Sequence, residues 1–150
     1  MVKTRGDALG IEVVVGPVLN SLKELSSKKY CGILIQYPDT YGNAHDWTDF
    51  IKSVHDNDAL VVAATDLLAS VLLKPVGEMG VDIAIGSAQR FGVPMGFGGP
   101  HAAFLATTTA YSRKMPGRII GVSIDSRGKP ALRMAMQVPR LYHQLISLIN

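Results

Sequence analysis

The stretch that decides the fold is the run Ala59-Leu60-Val61-Val62-Ala63-Ala64-Thr65-Asp66. Its first six residues are apolar, and the run turns polar at Thr65. A short continuous apolar run that stops at polar residues is typical of a strand that is covered on both faces. We therefore interpret this run as a buried strand, with its polar end at the edge of a sheet.

Outward from this strand, apolar runs alternate with segments of helical spacing. Further strands are predicted at Ile11–Val15, Gly32–Tyr37 and Val81–Gly86, and helices at residues 18–28, after Asp46, and at Leu67–Leu73. Asp46 is a good N-cap for a helix that carries Trp47, Phe50, Ile51 and Val54 on one face. This alternation predicts an α/β fold with a mostly parallel sheet and helices on both faces.

The pattern changes after residue 90. The stretch Phe91–Pro100 is rich in glycine and proline, so long regular structure is not expected there. His101–Thr107 is predicted to be another strand, and Ala110–Met115 a helical turn. Arg118–Ile124 and Ala131–Ala135 are predicted to be two strands joined by a turn.

The composition limits the class of protein. The chain has 150 residues, nearly half of them apolar, which favours a packed domain or part of one over disorder. The net charge is +3, but the basic residues are scattered, so no nucleic-acid surface is predicted. No apolar stretch is long enough to cross a membrane, and no signal or transit segment is recognisable. Cys31, the one cysteine, lies in an apolar run and is predicted to be buried.

Candidate site residues follow the predicted strands, because ligands of open α/β sheets bind at the carboxyl ends of the strands. Asp66 has two interpretations: it pairs with the protonated ring nitrogen of a pyridine cofactor, or it caps the next helix. Ser87 and Arg90 either hold a phosphate or belong to a glycine-rich turn. His101 is a general base or a hydrogen-bonded structural residue. The histidines and Cys31 show no metal-ligand spacing, so no metal site is predicted.

Long stretches of the chain carry a family resemblance. They are Gln36-Tyr37-Pro38-Asp39-Thr40, Ala64-Thr65-Asp66-Leu67-Leu68-Ala69, the run from Gly86 to Phe104 that reads GSAQRFGVPMGFGGPHAAF, Met115-Pro116-Gly117-Arg118, and Ala131–Gln137. These strings resemble the P-protein family of the glycine cleavage system, the decarboxylating glycine dehydrogenases. The resemblance is specific from Cys31 to Gln137 and loose over the first thirty residues.

The resemblance implies a fold-type-I architecture that depends on pyridoxal phosphate (PLP), and it places this chain in the N-terminal of two related halves. It implies an incomplete large domain over residues 1–137 and a tail at 138–150 that is atypical of the family. The lysine that binds PLP covalently lies in the C-terminal half of the family. Gln89 stands where that lysine would be, and glutamine has no amine. Asp66, Ser87, Gln89 and Arg90 are therefore predicted to be vestigial PLP-site positions, with no cofactor expected on this chain.

The resemblance also implies the activity of the whole enzyme and its partners. The family decarboxylates glycine with PLP and transfers the aminomethyl group to the lipoyl arm of the H-protein. The expected partners are the C-terminal half of a P-protein or a homodimer partner, and the H-protein. In a eukaryote the family is mitochondrial. The departure after Gln137 suggests a truncated sequence, and the isolated chain is expected to be poorly soluble.

Two other functions stay open at this point. One is a regulatory or scaffolding pseudoenzyme that pairs with a full P-protein. The other is a PLP enzyme of a different kind that uses Lys74 or Lys114 as its covalent lysine. Lys74 directly precedes Pro75, which is an awkward position from which to reach a cofactor ring.

Overall fold

The structure is a computed structural model, and it describes residues 1–18, 30–116 and 119–135. The chain divides into two compact units, Met1–Thr107 and Thr108–Asn150. The boundary falls inside the segment 1–137 that the sequence analysis treats as one domain. That domain assignment stays a prediction.

The first unit contains a four-stranded sheet in the spatial order β1-β2-β3-β4. The strands are β1 Gly32–Tyr37, β2 Leu60–Thr65, β3 Ile83–Ser87 and β4 Ala103–Thr107. The first three run parallel, and β4 pairs with β3 antiparallel. The sheet is mostly parallel, as the alternating pattern predicted, whereas the expected helices on both of its faces stay a prediction.

Two α-helices are present in the described part of this unit, α1 Val2–Ala8 and α2 Thr48–His55. Trp47, and not the predicted Asp46, holds the N-cap position of α2, but the Asp46 side chain still binds the first helical residue. Asp46 Oδ1 accepts hydrogen bonds from the Thr48 main-chain N–H, at 2.9 Å, and from the Thr48 hydroxyl. Because Asp46 also contacts Lys74 Nζ at 3.0 Å, the start of the helix is tied to the segment after β2.

The hydrophobic core lies on one face of the sheet, called here the inner face. Alternate residues of β1 and β2 point into it, namely Ile35, Tyr37, Val61 and Ala63. Helix α2 covers them with Phe50, Ile51 and Val54, as its helical spacing predicted. The segment before β3 completes the core with Val76, Met79 and Val81.

The opposite face of the sheet, called here the outer face, is partly exposed among the described residues. It carries Leu34 on β1, together with Ala64, Ile85 and Leu105, which are neighbours across β2, β3 and β4 through the register. Leu34 on β1 is 49% exposed, and the other three are half-buried. The outer face is therefore apolar without being closed by the part of the chain that the structure describes.

The second unit contains a hairpin of β5 Ile119–Ile124 and β6 Pro130–Ala135. Asp125 closes its turn: its Oδ1 accepts the main-chain N–H groups of Arg127 and Lys129. Gly128 adopts a φ of 77°, which glycine tolerates without strain. The predicted pair of strands and the turn between them are confirmed. The unit also contains a 3-10 helix at Thr109–Lys114, close to the predicted helical turn.

Three sequence predictions are wrong. Ile11–Val15 forms no strand, although its residues are β-branched, because it pairs with no neighbour in the described structure. Leu67–Leu73 forms only a 3-10 turn at Ala69–Val71, since few residues separate the cap at Asp66 from Pro75. Cys31 is exposed, because it precedes β1 at the end of the sheet, beyond the core.

Two further predictions concern segments that the structure does not describe. The predicted helix at residues 18–28 lies outside the described residues apart from Val18, which packs against the core. The tail at 138–150 lies outside them entirely.

Candidate functional site

The candidate site lies where β2 and β3 end. These strands are parallel neighbours, with Ala64 paired with Ile85, so their carboxyl ends meet at one edge of the sheet. Asp66 follows the last residue of β2, and Ser87 is the last residue of β3. A 3-10 turn at Gln89–Phe91 follows β3 directly. The topology therefore brings the predicted site residues to a single edge.

The Asp66 carboxylate has a different partner at each oxygen. Oδ1 accepts the main-chain N–H of Leu68 at 3.0 Å, so Asp66 binds the start of the turn that stands in place of the predicted helix. Oδ2 lies 3.6 Å from Arg90 Nε, in an ion pair. The Asp66 main-chain oxygen also accepts the Ser70 hydroxyl at 3.2 Å. Asp66 therefore caps the turn after β2 and joins it to the turn after β3.

Ser87, Gln89 and His101 form a chain of hydrogen bonds beside this ion pair. The Ser87 hydroxyl donates to Gln89 Oε1 at 3.0 Å. The Gln89 side-chain amide then donates from Nε2 to His101 Nδ1 at 3.3 Å. Because an amide NH₂ group is a donor only, Nδ1 acts here as an acceptor. The arrangement gives His101 a structural partner, in line with the second of its two interpretations.

A long loop connects β3 and β4, and hydrogen bonds hold its two ends together. One is the bond from Gln89 to His101, and the other runs from the Ala88 N–H to the Ala102 carbonyl at 2.9 Å. Phe97, near its tip, is fully exposed and has a φ of 47°. Such a left-handed conformation is uncommon for a bulky residue. The glycine-rich stretch is therefore a loop rich in turns, as its composition predicted. Its two ends are joined by a main-chain hydrogen bond.

An open depression of about 650 Å³ lies next to the Ser87–Gln89–His101 chain. Apolar residues from β2, β3 and β4 form most of it, and Ser87, Gln89 and His101 also line it. Its lining residues are Ala64, Ile85, Gly86, Ser87, Gln89, His101, Ala102, Ala103, Phe104 and Leu105. Asp66 and Arg90 are not among them. The depression could accept an apolar group, but no charged side chain lines it.

Gly86 and Thr65 belong to this edge, and sequence reasoning did not single them out. A Cβ on Gly86 would overlap the Thr65 carbonyl oxygen and lie 2.6 Å from Phe104 Cε1. Glycine is therefore needed where the backbone of β3 approaches its neighbours. The signal available in the sequence was a glycine at the end of an apolar strand, which is too common to identify a site.

Asp39 lies in the predicted loop after β1 and accepts hydrogen bonds from other residues of that loop. Its carboxylate accepts the main-chain N–H groups of Tyr41 and Asn43 and the side-chain amide of Asn43. The hydrogen bonds from Asn43 are the largest cause that lowers the pKa of Asp39 below its usual value, and those from Tyr41 add to it. Asp39 therefore stabilises a turn at the edge of the sheet.

The alternative covalent lysines are both engaged elsewhere. Lys74 Nζ donates to Asp46 Oδ2 at 3.0 Å and to the Thr48 hydroxyl at 2.8 Å. Lys114 belongs to the second unit, where its Nζ lies 6.0 Å from the centre of the Tyr111 ring. Lys74 therefore binds the start of α2 and does not contact the strand-end cluster, the name used here for Asp66, Ser87, Gln89, Arg90 and His101.

The described residues contain neither a metal-binding cluster nor a membrane-spanning helix. No group of three or more histidine, cysteine or acidic residues there could hold a metal ion. None of the helices in that part of the chain is long and apolar enough to cross a bilayer.

The cluster does not fit the PLP site that the resemblance implies. Gln89, which the resemblance predicts at the position of the covalent lysine, has no amine, and both ends of its amide are hydrogen-bonded. Asp66 Oδ2, the carboxylate oxygen that does not bind the Leu68 N–H, faces Arg90. The cluster therefore has no lysine that could bind PLP covalently, and the Arg90 guanidinium already faces the Asp66 carboxylate.

Comparison with known proteins decides the family. The family model described as the glycine cleavage system P-protein matches residues 1–143. The chain belongs to the glycine cleavage system P-protein family. The resemblance seen in the sequence motifs is thereby confirmed.

Close relatives in this P-protein family occur in plants and bacteria. The chain is 60% identical over 135 residues to the mitochondrial glycine dehydrogenase (decarboxylating) of Flaveria trinervia, covering 90% of this chain and 13% of that protein. It is 62% identical over 137 residues to the glycine dehydrogenase (decarboxylating) of Aliivibrio fischeri strain ES114, covering 91% of this chain and 14% of that protein. The plant relatives are named mitochondrial, and the bacterial ones are not. The chain therefore spans about one seventh of the length of these relatives.

A solved structure supports the fold of this P-protein segment. It is the crystal structure of a glycine decarboxylase (P-protein) of the glycine cleavage system in an inhibitor-bound form. The TM-score is 0.64 at 40% sequence identity, and the match covers 71% of this chain and 24% of that one. The α/β sheet is thus the fold of an incomplete P-protein domain.

Proposed function

We propose that this chain acts as a segment of a decarboxylating glycine dehydrogenase. In that enzyme glycine is decarboxylated with PLP, and the aminomethyl group passes to the lipoyl arm of the H-protein. The observation that carries the proposal is the family match over residues 1–143, at 60% identity to enzymes of that name. In a eukaryote the protein would act in mitochondria, as the names of the plant relatives suggest.

Within such an enzyme we assign this segment to the half that does not bind the cofactor covalently. Covalent attachment of PLP needs a lysine amine, and Gln89 supplies an amide instead. On this proposal the remains of a cofactor site are Asp66, Ser87, Gln89 and Arg90. His101 holds the Gln89 side chain in place and takes no part in proton transfer. The segment alone is then inactive.

The partly exposed outer face is evidence that this segment binds a partner. Parallel sheets are normally covered on both faces, because their strands are apolar on both sides. The inner face is covered by α2, whereas Leu34 and its neighbours on the outer face are partly exposed. We propose that another part of a P-protein, such as its C-terminal half or a homodimer partner, covers them.

A chimera tests the proposed function. The matching 137 residues of the Aliivibrio fischeri enzyme would be replaced by the corresponding residues of this chain. The measurement is the release of labelled carbon dioxide from carboxyl-labelled glycine in the presence of lipoylated H-protein. We expect the chimera to retain at least about a tenth of the parent rate, because a supporting segment contributes packing and not chemistry.

The controls separate folding from function. The parent enzyme and the chimera would be compared by PLP absorbance and by gel filtration. A chimera that is soluble and binds PLP but releases no carbon dioxide would contradict the proposal. If the 150-residue chain then bound an intact P-protein, the regulatory function would replace it.

A further inference from the structure

The two oxygens of the Asp66 carboxylate have different partners. Oδ1 accepts the Leu68 main-chain N–H at 3.0 Å, and Oδ2 faces Arg90 Nε at 3.6 Å. The first contact is local and caps the turn after β2. The second joins the ends of two neighbouring strands, so it depends on the tertiary structure.

The turn after β3 explains how Arg90 reaches this carboxylate. Gln89 and Arg90 are the first two residues of the same 3-10 turn. The Gln89 side chain is held by Ser87 on one side and by His101 on the other. These bonds hold the Gln89 side chain, and the side chain of the next residue, Arg90, reaches Asp66 at the end of β2.

The pair changes what Asp66 can bind. A pyridine cofactor acts as an electron sink most effectively when its ring nitrogen is protonated, and a nearby carboxylate favours that protonated form. A second cation on the same carboxylate has the opposite effect, since like charges disfavour protonation. With Arg90 in place, a ring nitrogen at Asp66 would have to share its carboxylate with a guanidinium group.

We infer that Arg90 is an internal replacement for the protonated ring nitrogen of a cofactor, so that Asp66 is neutralised by the chain itself. The inference rests on the proposed function, because it treats the strand-end cluster as a former cofactor site. It adds that this site is closed in two independent ways: Gln89 removes the covalent anchor, and Arg90 occupies the carboxylate. Restoring a lysine at position 89 alone would then not restore a cofactor site.

The expected effect on binding is modest. The Asp66 side chain is 29% exposed and that of Arg90 is 63% exposed, so water screens the pair. Partly exposed ion pairs typically change an equilibrium by about fivefold or less, and the relief of cation repulsion adds to this. Removal of Arg90 should therefore tighten binding of a protonated pyridine by about threefold to tenfold.

The test uses pyridoxine 5′-phosphate as the probe on the 150-residue chain. This compound has the ring nitrogen and the phosphate of PLP but no aldehyde, so surface lysines cannot bind it covalently. Equilibrium dialysis would compare the wild type with Asp66→Asn, Arg90→Met and the double variant. We expect Asp66→Asn to leave wild-type affinity within about twofold, Arg90→Met to tighten binding, and Asp66→Asn to cancel that gain. Arg113→Met, which removes an exposed arginine from the second unit, is the matched control.

Two results would overturn the inference. One is a loss of wild-type affinity in Asp66→Asn, which would mean that Asp66 holds the ring nitrogen with Arg90 present. The other is an unchanged or weaker affinity in a folded Arg90→Met variant, since weaker binding would mean that Arg90 holds the phosphate of the probe. If Arg90→Met does not fold, the nuclear magnetic resonance signal of Arg90 Nε–H decides: it should move in Asp66→Asn, and an unmoved signal refutes the pair.

These readouts are independent of the chimera experiment. They need neither turnover nor the H-protein, and they use the chain alone. An inactive chimera with a confirmed Asp66–Arg90 pair would refute the enzyme function and leave the pair established. An active chimera without an Asp66–Arg90 pair would support the enzyme function and refute the inference about the pair.

Discussion

Thr65 carries a buried hydroxyl with no hydrogen-bond partner among the described residues, at the end of β2 beside Asp66. A buried polar group without a partner destabilises the folded state, typically by about 1–3 kcal/mol. Valine has almost the same shape and no hydroxyl. We therefore expect Thr65→Val to raise the free energy of unfolding by about 1 kcal/mol. The measurement is urea denaturation followed by the fluorescence of Trp47, the one tryptophan, which packs against the core.

The same substitution at Thr107 is the control. The Thr107 hydroxyl donates to the Asp82 carbonyl at 2.9 Å, so Thr107→Val removes a real hydrogen bond. It should lower the free energy of unfolding by about 1 kcal/mol. If Thr65→Val also destabilises the chain, the Thr65 hydroxyl has a partner beyond the described residues.

At the scale of a secondary-structure element, the start of α2 has a pH dependence. The hydrogen bond from the Thr48 hydroxyl is the first cause that lowers the pKa of Asp46 from its usual 3.8 to about 2, followed by the Thr48 main-chain N–H and Lys74. A carboxyl group with a lowered pKa in the folded state stabilises the fold only while it is ionised. The contribution of Asp46 is therefore present above about pH 4 and is lost as the pH falls toward 2.

The variant Asp46→Asn tests this contribution, because asparagine is the neutral counterpart of the protonated side chain. Its melting temperature should lie below that of the wild type at pH 6. The difference should shrink below pH 4 and vanish near pH 2. Added salt should reduce the part that comes from Lys74, since both side chains of that ion pair are exposed. A difference that stays constant from pH 6 to pH 2 would contradict the assignment.

At the scale of the whole molecule, the outer face decides how the isolated chain behaves. Leu34 is half-exposed on β1, which lies at one end of the four-strand order. Exposed apolar surface beside the edge of a sheet promotes association between copies. We therefore expect the 150-residue chain to self-associate in solution. A charge on that face should weaken the association.

Light scattering after gel filtration would measure this effect in Leu34→Lys. Its apparent mass should fall toward the 16.1 kDa of one chain. The control is Val71→Lys, which adds the same charge to a residue that is 72% exposed in the turn at Ala69–Val71. Equal masses for the two variants would show that the outer face is not the associating surface. A monodisperse wild-type monomer would do so as well.

The sequence by itself determined the strands, the turns and the family. The strands β1, β2 and β3 follow from apolar runs, because a residue buried on either face of a sheet must be apolar whatever its neighbours are. The Asp46 contact at the start of α2 and the turn at Asp125 also follow, because their hydrogen bonds join residues close in sequence. The family follows from motifs such as the run from Gly86 to Phe104, whose length makes a chance match very improbable.

Only the tertiary structure decided which of these residues meet. Ile11–Val15 has the composition of a strand, but a strand also needs a neighbour that pairs with it, and the sequence names none. Cys31 lies in an apolar run and is nevertheless exposed, because burial depends on what packs above it. Whether Asp66 caps a turn or binds a cation could not be chosen from the sequence. It does both, because Arg90, 24 positions away in the chain, is brought to the same edge by the parallel pairing of β2 and β3.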